Sequence, residues 1–222
     1  DPGIVDAQES RGLGDVYKRQ AYADRATHLG DEDFWQVPSE MLLSEKYANE
    51  RVQNISIDKS TASDDIKAGI SPFSESEETT HYSVIDKYGN AVSVTTTINS
   101  GYGSGITVTG AGFILNNEMD DFSSKPGVPN MFGLIGNEAN AIEAYKRPLS
   151  SMTPTLVIKD DKPFLILGTP GGSTIITTVL QNILNVVVHK MNIKEAVDAP
   201  RFHSQWLPDQ IDYEKNLSLI HI

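Results

Sequence analysis

The sequence predicts an α+β fold from three features. Residues 79–99 read as a β-hairpin carrying hydroxyls, because Asp86-Lys87-Tyr88-Gly89 has Asp at the first and Gly at the fourth position of a type I turn. Two short apolar runs, Thr155-Leu156-Val157-Ile158 and Phe164-Leu165-Ile166-Leu167, flank Lys159-Asp160-Asp161-Lys162-Pro163 and read as a second, more buried hairpin. After Ser173, the residues Ile176, Val179, Leu180, Ile183, Leu184 and Val187 follow a helical stripe.

In chain order, residues 1–20 have no clear period and resemble translated adapter sequence, as do residues 217–222. Both are read as non-native, so the protein proper is expected to begin near Ala21. Residues 21–53 contain helix-like pieces, with Ser39 as an N-cap and Leu42, Leu43, Tyr47 and Val52 at roughly helical spacing. Residues 55–77 are polar, with almost no periodic apolar residue, and read as an exposed linker.

In the first hairpin, Gly89 can take the left-handed conformation that a three-residue loop requires, so Asp86 pairs with Asn90. Counting outward, 85 faces 91, 83 faces 93, 81 faces 95 and Thr79 faces Thr97, with Asn99 further along the same face. Opposed side chains have Cβ atoms about 4.5–5.5 Å apart, which brings the Thr79 and Thr97 hydroxyls within mutual reach. A slip of one residue would send Thr97 to the other face.

Gly101-Tyr102-Gly103-Ser104-Gly105 reads as a turn: it lacks the third glycine of a dinucleotide fingerprint and the Gly-Lys-Ser/Thr of a phosphate loop. Residues 107–115 read as another strand, and residues 116–140 as a long Gly/Pro/Asn-rich loop, of a length that is uncommon unless the loop is functional or disordered. Gly168-Thr169-Pro170-Gly171-Gly172-Ser173 leads into the main helix with Ser173 as its N-cap. A shorter helix, 193–199, stops at Pro200. No internal repeat is found.

Composition narrows the function classes. The 222 residues are 39% hydrophobic, ordinary for one soluble globular domain and enough to bury a core. A formal net charge of −12 argues against nucleic acid or an anionic membrane as a partner. The absence of cysteine excludes disulfides, thiol catalysis and zinc-thiolate sites. The most apolar stretch, 175–188, is interrupted by Thr177, Thr178, Gln181, Asn182 and Asn185, which suits a buried helix and not a membrane span. His81, His189 and His203 show no paired metal-ligand spacing, and no Gly-x-Ser-x-Gly elbow is present. Neither a metal nor a cofactor is expected. Trp35 and Trp206 read as packing residues.

A row of threonines on a strand has an ordinary explanation, since a β-branched residue suits a half-solvated sheet face. Five collinear motifs give it another. They are Glu78-Thr79-Thr80-His81-Tyr82-Ser83, Asn116-Asn117-Glu118-Met119-Asp120-Asp121-Phe122, Lys146-Arg147-Pro148-Leu149-Ser150-Ser151-Met152, Gly168 to Ser173, and Ala199-Pro200-Arg201-Phe202-His203. In that order they resemble the γ-glutamyltranspeptidases, glutathione-cleaving members of the N-terminal nucleophile hydrolases. The similarity extends from about Ala21 to about Lys215. It implies a four-layer αββα sandwich and a division into 21–78, the end of a large subunit, and 79–216, most of a small subunit.

The resemblance also implies the chemistry. The precursor would cleave itself between Glu78 and Thr79, within the exposed linker region, making Thr79 both N-terminus and nucleophile. A threonine hydroxyl is weak unless a base takes its proton, and the new α-amino group, with an ordinary pKa near 8, is such a base. Thr97 would orient the hydroxyl, and Gly171 and Gly172, ahead of a helix N-terminus, would stabilise the oxyanion. Ser150 and Ser151 match the residues that hold the substrate α-carboxylate, and Asn99, Glu118 and Asp121 those that take its ammonium. Residues 126–137 correspond to a lid, with Phe132 where a tyrosine is often found. An arginine that pairs with the substrate carboxylate lies upstream, in the large subunit.

The implied partners are a γ-glutamyl substrate, an amino-acid or peptide acceptor, and the large subunit from the same precursor. The implied location is periplasmic or secreted. Two alternatives stand beside this reading: a related acylase, such as a cephalosporin acylase or a poly-γ-glutamate processing enzyme, and an unprocessed domain that binds amino acids or peptides without turnover.

Overall fold

The computed structural model of the chain describes residues 18–53, 55, 79–215 and 217. Its helices are α1 (18–28), α2 (Ser39–Leu42), α3 (Glu45–Gln53), α4 (Thr174–Val187) and α5 (Ile193–Asp198). Its strands are β1 (Thr80–Ile85), β2 (Ala91–Thr96), β3 (Thr155–Lys159), β4 (Lys162–Leu167), β5 (Phe202–His203) and β6 (Asp212–Tyr213), paired in sequence as three antiparallel ribbons. The fold class is α+β, and the elements gather into two compact units.

One unit takes the described residues up to 55, Asp120–Leu149 and the residues from Phe202 onward. Helix α1 places Tyr22 and Ala26, one turn apart, in a core with Phe122, Phe132, Ile135 and Trp206. Lys18, Arg19 and Gln20, on the expected non-native side of residue 20, are buried in α1. The Lys18 ammonium lies 3.3 Å from the Phe202 ring centroid and donates to the Phe202 carbonyl at 3.3 Å. Within the long loop, Gly127 N–H bonds the Gly136 carbonyl at 2.9 Å, and Asn130 Oδ1 accepts the N–H groups of Phe132 and Leu134, each at 3.0 Å. The loop is thus held by its own backbone, with Phe132 buried inside. Asp31, its side chain 1% exposed, accepts Arg147 Nε at 2.9 Å, Arg147 N–H at 2.8 Å and a third bond from Nη2.

The helix-like pieces at 39–53 begin differently from expectation. Pro38 occupies the N-cap of α2, while the Ser39 hydroxyl turns to Glu32 Oε1 at 3.2 Å. Ser44 supplies the side-chain cap of α3, accepting Tyr47 N–H at 3.1 Å.

The other unit takes residues 79–119 and Ser150–Arg201. Strands β1 and β2 pair from Thr80 with Thr96 to Ile85 with Ala91, the register that the turn dictates. Asp86 closes that turn: its N–H bonds the Asn90 carbonyl at 3.0 Å, and its Oδ1 accepts Tyr88 and Asn90 N–H at 2.8 and 2.9 Å. Gly89 has φ 88°, as the loop requires. The second hairpin turns at Asp160 and Asp161, both left-handed, which matches the twist of the flanking strands.

The hairpins meet through hydroxyls. Ser83 and Ser93, a cross-strand pair, donate to the Ile166 and Leu167 carbonyls of β4 at 3.2 and 2.9 Å. The polar row of the first hairpin therefore faces β4, and Tyr82, Val84 and Val92 on its other face are each about half exposed, at 51%, 52% and 50%. The strands of the first hairpin hold no buried residue, so the second is, as expected, the more buried of the two. Leu165 alone of its apolar residues is buried, and Leu156, Ile158 and Phe164 are exposed, because β4 meets its neighbour through backbone carbonyls.

Helix α4 forms as expected but buries a different face. Thr174, Ile175, Thr177, Val179 and Asn182 are inward, whereas Leu180, Leu184 and Val187 are exposed. The buried polar residues bond within the helix, Thr177 Oγ1 to Thr174 O at 3.0 Å and Asn182 Nδ2 to Thr178 O at 2.9 Å, which offsets part of their burial cost and leaves Asn182 Oδ1 buried without a hydrogen bond. Ser173 holds the N-cap position with helical angles and no side-chain cap, so that expectation is also corrected. Helix α5 carries a full capping box between Asn192 and Glu195 and ends before Pro200. Residues 107–115 are not a strand: Gly110 and Gly112 are left-handed and fold the run back on itself, leaving one bridge, Thr107 to Ile114.

Candidate active site

Thr79 is half-buried and directly precedes β1. The β1–β2 ladder ends at Thr80 with Thr96, and one further step in the same register would put Thr97 opposite Thr79. The Thr97 Oγ1 accepts the Asn99 N–H at 2.9 Å, which engages one of its two lone pairs and fixes the oxygen, while its hydrogen can still donate. That bond tightens a turn at Asn99, which is buried with φ 76°, a conformation asparagine tolerates better than most residues.

Asn99 Nδ2 donates to the Asn117 carbonyl at 3.2 Å, Ser100 N–H to Asn117 Oδ1 at 3.0 Å, and Asn117 N–H to the Ile98 carbonyl at 3.3 Å. These three bonds seat Asn99 beside the chain at Glu118, where a 3-10 turn, Glu118–Asp121, starts. Three sequence-derived candidates, Thr97, Asn99 and Glu118, are therefore stitched into one local structure.

Gly171 and Gly172 precede α4 with φ 133° and 54°. The Gly171 carbonyl accepts Thr174 N–H at 3.0 Å and Thr174 Oγ1 at 2.8 Å, and the Gly172 carbonyl accepts Ile175 N–H at 3.3 Å. In a trans peptide the N–H points opposite to the preceding carbonyl. The Gly172 N–H is thereby aimed away from the first turn of α4, where the helix dipole favours negative charge.

Ser150 is exposed and Ser151 half-buried in the segment that enters β3, and Ser150 Oγ accepts Met152 N–H at 3.0 Å. All these residues belong to one unit. Asp121 belongs to the other, where its carbonyl accepts Asn140 Nδ2 at 2.7 Å. Burial pulls the nearby Arg25 guanidinium below its ordinary pKa, and Tyr22 and Asp121 act against that fall. Glu78, the other half of the expected cleavage site, lies outside the described residues, as does the linker 56–77.

One group was set aside in the sequence because the histidines show no site-forming spacing, yet His81 organises a polar cluster. Its Nδ1 is 2.8 Å from Thr95 Oγ1 and its Nε2 is 3.0 Å from Ser83 Oγ. Burial pushes its pKa down, favouring the neutral ring. The signal lay in the register, which puts 81 opposite 95 on the Thr79 face. Among the described residues, no group of three or more His, Cys, Asp or Glu is placed to hold a metal.

A sequence profile for gamma-glutamyltranspeptidase matches residues 15–219. The chain belongs to the γ-glutamyltranspeptidase family. It is 51% identical to the glutathione hydrolase proenzyme of Escherichia coli K12 over 217 residues, which are 97% of this chain and 37% of that protein. It therefore spans little more than a third of that relative's length. Among solved γ-glutamyltranspeptidases, the crystal structure of a Helicobacter pylori mutant superposes with a TM-score of 0.60 at 68% identity, covering 61% of this chain and 73% of that one. A cephalosporin acylase from Bacillus halodurans superposes with a TM-score of 0.64 at 25% identity, covering 84% of this chain and 31% of that one. No helix among the described residues is long and apolar enough to cross a membrane.

Proposed function

We propose that this chain carries the processing site and most of the small subunit of a γ-glutamyl hydrolase and transferase. It cleaves glutathione and other γ-glutamyl amides through a γ-glutamyl ester on Thr79. The observation that carries the proposal is the β1–β2 register, ending at Thr80 with Thr96, whose continuation would put Thr97 opposite Thr79, together with the Asn99 N–H bond to the Thr97 oxygen.

In the first reaction, Thr79 Oγ attacks the Glu78 carbonyl, the peptide bond gives way to an ester with release of the Thr79 amine, and water then hydrolyses the ester to the Glu78 carboxylate and the free Thr79 hydroxyl. In each later turnover that amine takes the Oγ proton, Oγ attacks the γ-glutamyl carbonyl, and the proton passes to the departing amine. Thr97 donates to Oγ and aligns it. The glycine-pair amides stabilise the oxyanion, with the Gly172 N–H the better directed of the two. Ser150 and Ser151 hold the α-carboxylate of the donor, and Asn99, Glu118 and Asp121 hold its ammonium. Water or an amino group then resolves the ester.

Residues 21–78 are the end of the large subunit and 79–216 the small-subunit region in this reading, which needs no cofactor. The remainder of a four-layer αββα sandwich covers the half-exposed apolar face of Tyr82, Val84 and Val92. The upstream large-subunit arginine completes the carboxylate site, and the enzyme works in the periplasm or outside the cell. The likeness to a cephalosporin acylase favours a second reading, the same nucleophile with another acyl group. Initial rates of the processed full-length protein on γ-glutamyl-p-nitroanilide and glutaryl-p-nitroanilide separate the two. A preference for the γ-glutamyl donor is expected, and a preference for the glutaryl donor would overturn the substrate assignment.

A further inference from the structure

His81 joins two segments that the proposed reaction needs in register. Its Nε2 reaches Ser83 Oγ at 3.0 Å, and Ser83 Oγ in turn donates to the Ile166 carbonyl at 3.2 Å. Since the serine hydrogen is committed to a carbonyl, the serine oxygen must accept, so His81 carries its proton on Nε2. Nδ1 is then the acceptor, and Thr95 Oγ1 donates to it at 2.8 Å. One oriented chain results, from Thr95 on β2 through the ring to Ser83 and on to β4.

The ring also touches the start of the glycine loop. A Cβ at Gly168 would fall inside the van der Waals surface of the His81 imidazole, against Cε1, Nδ1 and Cγ. Gly168 shows no left-handed backbone angle, so its glycine is explained by the ring and not by conformation. On one side of the contact, Thr79 lies two residues up the same strand face. On the other, the chain runs within a few residues to Gly171 and Gly172.

We propose that His81 is a positioning residue, a neutral strut packed against Gly168 that sets the nucleophile strand against the oxyanion loop. This rests on the reading of Thr79 as nucleophile. Nothing in it requires the imidazole to exchange a proton with substrate.

The test uses the full-length precursor with His81→Ala, His81→Gln, Gly168→Ala and the double variant His81→Ala/Gly168→Ala. Self-cleavage rate, kcat and KM are measured on γ-glutamyl-p-nitroanilide, with thermal melts to establish folding. Misplacing a reacting group by about 1 Å costs on the order of 100-fold, so His81→Ala should lower kcat by about 10- to 100-fold with KM little changed. Gly168→Ala should reproduce the loss by displacing the ring, and His81→Gln, which keeps a donor for Ser83, should recover part of it. Because both single changes break one contact, the double variant should be no worse than either alone. Folded His81→Ala with wild-type cleavage and turnover, or single losses that multiply in the double variant, would overturn the strut. A wild-type precursor that neither cleaves nor turns over would instead contradict the proposed function. In that case nitrogen NMR of the imidazole still decides: an Nε2–H neutral ring displaced by Gly168→Ala supports the strut, and an Nδ1–H or charged ring at neutral pH refutes it.

Discussion

At the scale of single residues, the proposed task of the Thr97 hydroxyl is to donate to the Thr79 oxygen, with its own oxygen held by Asn99 N–H at 2.9 Å. Thr97→Val keeps the shape and removes the donor, so kcat should fall by about 100-fold, in the range seen when one preorganised donor is lost. Thr97→Ser should retain most of the rate, and steady-state kinetics of the processed enzyme would read both. The carboxylate of Asp31 makes a separate prediction. Hydrogen bonds from the Arg147 side chain, followed by its backbone N–H, hold Asp31 well below the usual carboxylate range. A depressed folded pKa stabilises the fold above the unfolded value, about 4, and that contribution is lost as pH falls through the acid range below it. Melting temperature followed from pH 7 to pH 2 should therefore drop less steeply in Asp31→Asn than in the wild type, from a lower starting point. Equal slopes would show that the clamp is not linked to stability.

At the scale of elements, the first hairpin is legible in the sequence because Asp86 and Gly89 specify a turn, and a turn specifies every pair beyond it. The face that each element buries is far less legible. Periodicity picks the apolar stripe of α4, but Thr177 Oγ1 and Asn182 Nδ2 bond back about one turn, and both residues are inward instead. The run 107–115 has strand composition, and two left-handed glycines outweigh it. His81 escapes a reading based on motif spacing because its partner Gly168 is distant in sequence, although the register alone already aligns it with Thr95. The β3–β4 turn offers a check at this scale. Asp160 and Asp161 both sit at positive φ, where a side chain costs about 1 kcal/mol. Asp161→Gly should therefore raise stability by a few tenths to about 1 kcal/mol, measured by chemical denaturation, with no change in kcat.

At the scale of the whole molecule, cleavage ahead of Thr79 would divide a chain whose earlier and later parts are built into one another. The Asp31–Arg147 clamp, the Lys18–Phe202 contact and the Asn137 Nδ2 bond to the Ala26 carbonyl at 3.3 Å all join residues before position 79 to residues after it. The two products should therefore stay together after cleavage, and co-elution of both on gel filtration would show it. The alternation on β1 and β2, with Ser83 and Ser93 turned to β4 and Tyr82, Val84 and Val92 half exposed, belongs to this scale too, since the proposed sandwich would cover that apolar face. If Thr79 makes itself the N-terminus and the nucleophile, expression of the intact gene should yield a small subunit whose N-terminal sequence and mass begin at Thr79, and Thr79→Ala should yield none. Folded wild-type protein with an intact Glu78–Thr79 bond would rule out self-processing and favour a binding domain without turnover.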